Sequence, residues 1–226
     1  MDIVDCVAAV VGLGLTIAGM TQDLVTVNQP DFKGGIGFAH ASVETAYVGT
    51  EPNPYWIRDE STACGADFGT HNNPTCKDEH ARWCHAVIGT ASTAVVFGFA
   101  AILFLCYHMW HKTGKDEAGD NIGRPAGYRW TIMLFFLLAA SPNMYISGHS
   151  TLFAVSGAGQ CGFNDEEKAH IGIGAYLHLG AGLMYITFLV GHALYFWLWD
   201  PVAKKYNLNH KHLATAGYVM VLAMML

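Results

Sequence analysis

Ala169-His-Ile-Gly-Ile-Gly-Ala-Tyr-Leu-His178-Leu-Gly-Ala-Gly-Leu-Met-Tyr-Ile-Thr-Phe-Leu-Val-Gly-His192-Ala-Leu-Tyr-Phe-Trp-Leu-Trp199 runs from end to end without a charged side chain. A helix needs about 20 mostly apolar residues to cross the hydrocarbon core of a bilayer, so this stretch reads as a membrane span. Working outward, the chain holds two more uncharged runs beyond crossing length, 83–111 and 130–164. A fourth, 6–22, reaches crossing length once Ile3 and Val4 are counted past the lone Asp5. The last, 212–226, is too short. The expectation is an all-α integral membrane protein: a four-helix domain over 1–210 with spans at about 3–20, 83–110, 130–147 and 171–199. Positions 211–226 then form a short apolar segment, interfacial or the start of an incomplete span.

Composition agrees. The 226 residues are 52% hydrophobic and 13% charged, against about 25% charged for a soluble domain, which argues against a soluble enzyme. The net charge is −6, with no basic run, no zinc-type Cys spacing and no phosphate-cradling glycine loop. Nucleic acid is therefore not an expected partner.

Charge placement sets the topology. Lys112, Lys115, Arg124 and Arg129 lie between spans 2 and 3, and Lys204, Lys205 and Lys211 follow span 4. Basic residues in short loops stay on the cytoplasmic side. With four crossings both termini are then cytoplasmic, and positions 21–82, with nine acidic and four basic side chains, lie outside with a second short loop near 157–169. Cysteines divide the same way: Cys64, Cys76, Cys84 and Cys161 fall on or beside the outer loops, whereas Cys6 and Cys106 sit near the inner ends of spans 1 and 2. Disulfides persist in oxidising compartments, so the four outer cysteines suit a plasma-membrane or secretory-pathway protein. Three pairings among them are open.

Within the outer loop, 23–27 and 42–48 alternate β-branched and aromatic residues as strands do, and Gly34-Gly35 between them reads as a turn. A small β-sheet on the outer face is expected. Pro142 and Gly148 predict that span 3 kinks or ends before the second outer loop. Gly172, Gly174, Gly180 and Gly182 on span 4 predict close packing against another helix, as small residues permit in membranes. Asp165-Glu-Glu167 reads as a solvated helix start, with acids favoured by the dipole of span 4.

One crossing, a large outer loop of strands carrying a Trp and two Cys, three more crossings and a short second outer loop together resemble the claudin and peripheral-myelin-protein superfamily. The resemblance covers about positions 3–205 and rests on Trp56, Cys64 and Cys76 in that order and on Ala81-Arg82 at the mouth of span 2. The family's Trp…Gly-Leu-Trp…Cys step is absent, since Trp56-Ile-Arg-Asp-Glu-Ser-Thr-Ala-Cys64 stands in its place. The resemblance implies a Cys64–Cys76 disulfide in the outer sheet, leaving Cys84–Cys161 as a second bridge. It also implies a non-enzymatic role through contacts with other membrane proteins or with copies of itself: adhesion, a barrier, or an accessory subunit.

Histidine supplies the competing constellation. Of twelve histidines, His85, His178 and His192 lie within expected spans and His108 and His111 at an inner end. An ionisable residue inside a bilayer is a candidate functional site. From His178 to His192 is fourteen positions, about 40° from alignment around a helix and ~21 Å along it. That gap resembles the spacing by which membrane b-type cytochromes hang two haems from one helix, which needs axial partners at matching depths on a second helix. His85 and His108 of span 2 are ~34 Å and ~140° apart, so both pairs cannot close. One haem b between His192 and His108 is the alternative to a cofactor-free protein. In the cofactor-free reading, His85, His108 and His111 lie at interfaces, and His178 and His192 hydrogen-bond neighbouring backbone or hydroxyl groups. No acid–base or nucleophile constellation stands out, and Gly148-His-Ser150 lacks the strand–turn–helix setting of a nucleophile elbow. The sequence thus points to a subunit that works by contact, with Tyr47, Tyr55 and Trp56 as outer-loop anchors.

Overall fold

The structure is a computed structural model that describes residues 2–29, 32–36, 41–48, 51–52, 74–113, 128–157 and 169–194. Four helices carry it: α1 (Asp2–Met20), α2 (Pro74–Thr113), α3 (Tyr128–Leu152) and α4 (Ile173–Leu194). Three of them hold segments long and apolar enough to cross a bilayer, at His85–Trp110, Trp130–Val155 and Ile173–Leu194. The corresponding apolar part of α1, Asp5–Met20, is shorter than a full span. Hydroxyls along these helices bond back to their own backbone: Ser92 donates to the Ile88 carbonyl, Thr93 to Gly89, Ser141 to Leu137, Thr151 to Ser147 and Thr187 to Leu183. Such bonds satisfy the hydroxyl hydrogen within the helix's own backbone.

Two helix boundaries differ from the sequence reading. Helix α2 starts at Pro74 rather than near 83, because proline suits a first helical turn, where its missing N–H has no bond to make. Cys76 and Cys84 consequently lie on α2 and not on a sheet. Helix α3 continues through Pro142 and Gly148 to Leu152 and ends in a π-helical turn, Phe153–Gly157. Proline removes one intrahelical bond, and in a membrane helix neighbouring polar groups and packing absorb that loss. Helix α4 opens at Ile173 with no acidic residue in its first turn, so it does not begin at Asp165-Glu-Glu167, which lie outside the described residues.

The sheet has five antiparallel strands, β1 (Val25–Gln29), β2 (Phe32–Ile36), β3 (Ala41–Val48), β4 (Glu51–Pro52) and β5 (Ala169–Ile171), in the order β4-β3-β2-β1-β5. Strand β3 falls where alternation places it, and β1 begins two residues later than the expected 23–27. The Gly34-Gly35 pair is not a turn: it lies inside β2, where pairing with β3 shifts register between Lys33 and Gly34. Glycine in a strand interior often marks such an irregularity. Strand β5 precedes α4 in the chain and pairs with β1, Val25 opposite Ile171 and Thr26 opposite His170. The sheet therefore joins the segment after α1 to the one before α4.

The chain divides into two compact units, each drawing a segment from every helix. One comprises Met1–Leu13, Ala94–Ser141 and Ala181–Leu226; the other comprises Gly14–Thr93 and Pro142–Gly180. In the first, Ala8, Ala9, Ala101, Leu105, Ile132, Phe136, Ala139, Tyr185 and Phe188 form the core. In the second, which includes the sheet, Leu24, Val25, Val87, Ala91, Ile146, Phe153, Ala154 and Ala175 do so. Side chains such as Val96, Phe99, Leu103, Trp110, Trp130 and Leu134 point outward and stay exposed, as lipid-facing positions would.

Candidate functional site

The polar side chains buried in these cores form the candidate site. In the first unit, Asp5 of α1 and His192 of α4 meet, with His192 Nε2 donating to Asp5 Oδ1 at 2.9 Å and both side chains 1% exposed. Phe136 lies beside the imidazole, 6.1 Å between ring centroids. The other carboxylate oxygen, Oδ2, is buried with no hydrogen-bond partner among the described residues. Tyr185, fully buried, donates to the Ala9 carbonyl at 3.3 Å. Its ring occupies a slot that two glycines leave open: a Cβ on Gly12 would sit 2.6 Å from the Tyr185 ring, and one on Gly98 3.0 Å from its hydroxyl. His108 is buried, stacked on Tyr128 at a centroid distance of 3.5 Å.

In the second unit, Asn143 of α3 joins two other helices. Its Oδ1 accepts from Thr16 of α1 at 3.1 Å and from His178 Nδ1 of α4 at 2.7 Å. An amide oxygen only accepts, so Nδ1 carries the imidazole proton. The opposite edge of the ring lies on α1: a Cβ on Gly19 would be 2.8 Å from His178 Cδ2 and 2.9 Å from Nε2. This stretch of α1 therefore leaves little room beside Nε2. Asn143, Ser147 and Ser150 recur at helical spacing and are all buried, and the Ser150 hydroxyl has no hydrogen-bond partner among the described residues.

The histidines named from sequence thus separate. His178 and His192 each meet a side-chain acceptor from another helix, an amide and a carboxylate respectively, where the sequence reading expected backbone or hydroxyl groups. His85 is exposed on α2. Among the described residues no group of three or more His, Cys, Asp or Glu could hold a metal ion. Sequence reasoning missed Asp5, Thr16, Asn143 and Tyr185. Asp5 was visible as the one charge interrupting the first apolar run.

The packing glycines also separate. Gly172 and Gly174 press on the turn after α1: a Cβ on Gly174 would meet the Gly19, Gln22 and Asp23 carbonyls at 2.8–2.9 Å, and Gly172 stands still closer to the Asp23 carbonyl. Their amides use that approach, Gly172 donating to the Leu24 carbonyl and Gly174 to that of Asp23, both at 2.8 Å. A Cβ on Gly180 would meet only Leu15 Cδ1, at 3.8 Å, so that site is roomier than expected; Gly182 is buried. Arg82 is exposed on α2. Trp56, Cys64 and Cys161 lie outside the described residues, as do the side chains of Cys76 and Cys84. Cys6 and Cys106 are free thiols.

No family model, curated protein or solved structure matches the chain.

Proposed function

We propose that this protein is a structural or auxiliary subunit of a membrane assembly, acting through protein–protein contacts rather than catalysis. The observation that carries the reading is the use of the buried polar groups. Asp5 with His192, and Thr16 with Asn143 and His178, are engaged in hydrogen bonds between helices, the way polar residues join helices in lipid. The hydrogen bond from His192 to Asp5 also supports α1 as a fourth crossing, because a carboxylate without a partner is costly in a bilayer. If α1 crosses too, the basic loops at 112–129 and 204–211 put both termini in the cytoplasm. The claudin-like resemblance rests on Trp56, Cys64, Cys76 and Arg82 in the sequence, and a plasma-membrane or secretory-pathway location on the four cysteines of the proposed outer side.

In-membrane crosslinking followed by native mass spectrometry in mild detergent tests the role. A contact subunit runs as copies of itself or with other membrane proteins, at a mass well above the 24.5 kDa chain. A monomer in the membrane that carries out a redox reaction would contradict the proposal.

A further inference from the structure

Cys6 and Cys106 are distant in sequence and neighbours in the first unit. Helix packing brings them together. Leu13 of α1 lies against Gly98 of α2, where a Cβ would be 3.2 Å from Leu13 Cδ1. From that contact Cys6 is seven positions back along α1 and Cys106 eight forward along α2, about 10 and 12 Å of rise, which brings both to one level on antiparallel helices. Their side chains are close enough for one thiol to hydrogen-bond the other. Cys6 is half-buried against the core, and Cys106 is exposed. Tyr107 and Trp110 beside it are also exposed, at 56% and 79%, the aromatic placement of a membrane–water interface. Lys112 follows at the same end of α2.

We propose that Cys6 and Cys106 form a reversible disulfide, closed by a hydroperoxide and reopened by a dithiol, that ties the start of α1 to α2. The thiolate is the attacking form, and Cys106 is the more accessible of the two. Its sulfur takes the terminal oxygen of ROOH; the O–O bond breaks and ROH leaves, giving a sulfenic acid. The Cys6 thiol then attacks that sulfur, the S–S bond forms, the S–O bond breaks and water leaves with the Cys6 proton. Two electrons pass from the sulfurs to the peroxide. A dithiol reverses the step by thiol–disulfide exchange. The tether lies next to Asp5 in the chain, so closure fixes α1 beside its bond to His192.

The test uses the full-length protein in lipid nanodiscs, with hydrogen peroxide in one arm and a phospholipid hydroperoxide in the other. Non-reduced peptide mapping reads the product. The expected result is loss of alkylation at both thiols and a linked Cys6–Cys106 peptide that becomes dominant, disappears with dithiothreitol and is absent from C6S and C106S. Linkage with hydrogen peroxide alone assigns the water-borne oxidant, and linkage with the phospholipid hydroperoxide alone assigns the lipid-borne one. If both thiols still alkylate in both arms, or Cys106 goes to sulfinic acid while Cys6 stays free, the proposal is overturned. Should a serine variant fail to fold, the wild-type map decides by itself.

Discussion

Asp5 interrupts the first apolar run, and its meaning lies 187 positions away in His192. No local pattern could pair them, because sequence periodicity reports which residues share a face of one helix and not which helix faces it. The same limit applies to Asn143, whose partners Thr16 and His178 stand on two other helices. The histidines were legible as unusual; their acceptors were not. This yields a prediction about removing one partner or both. His192→Ala leaves a buried carboxylate without its donor and should destabilise by about 3–5 kcal/mol. Combining it with Asp5→Asn should recover part of that loss, since removing both partners costs less than stranding one. Unfolding in mixed detergent micelles measures both; equal stability of His192→Ala and wild type would show that the pair contributes nothing. At His178, alanine should destabilise rather than be neutral, because Asn143 loses a bond and the ring's contact with Gly19 is lost.

At the scale of elements, the long neutral runs located α2, α3 and α4, since an uncharged stretch beyond crossing length admits few other readings. Boundaries were less legible: polar positions 74–82 hid the first turns of α2, and Pro142 suggested an end that packing overrides. Alternation found β1 and β3 but could not find β2, whose Gly34-Gly35 imitates a turn, or the very short β5. Glycines give a graded prediction. Gly12→Ala drives a methyl into the Tyr185 ring and should cost about 1–3 kcal/mol. Gly89→Ala and Gly148→Ala, with nothing within 4 Å of the added carbon, should stay within about 0.5 kcal/mol of wild type. Thermal melts in detergent rank the three, and a reversed order would refute the slot. For the sheet, Val27 opposes Ala169, so V27C/A169C should crosslink under mild oxidation. Failure of that pair to link would place β5 elsewhere.

For the whole molecule, membrane residence was legible from charge placement alone, whereas what the protein contacts is written in surfaces that composition does not specify. Topology follows from the basic loops: a cysteine probe at Asn73 should label from outside the cell and one at Gly119 should not, and the opposite pattern would invert the orientation. The central proposal is that the protein works by contact and that its buried histidines join helices rather than ligate a cofactor. The visible absorption spectrum of the protein purified from its native membrane tests that claim most directly. The account predicts no Soret band in the wild type and an unchanged spectrum in His178→Ala and His192→Ala. A Soret band that vanishes with either substitution while the assembly stays intact would contradict it and make the chain an electron carrier.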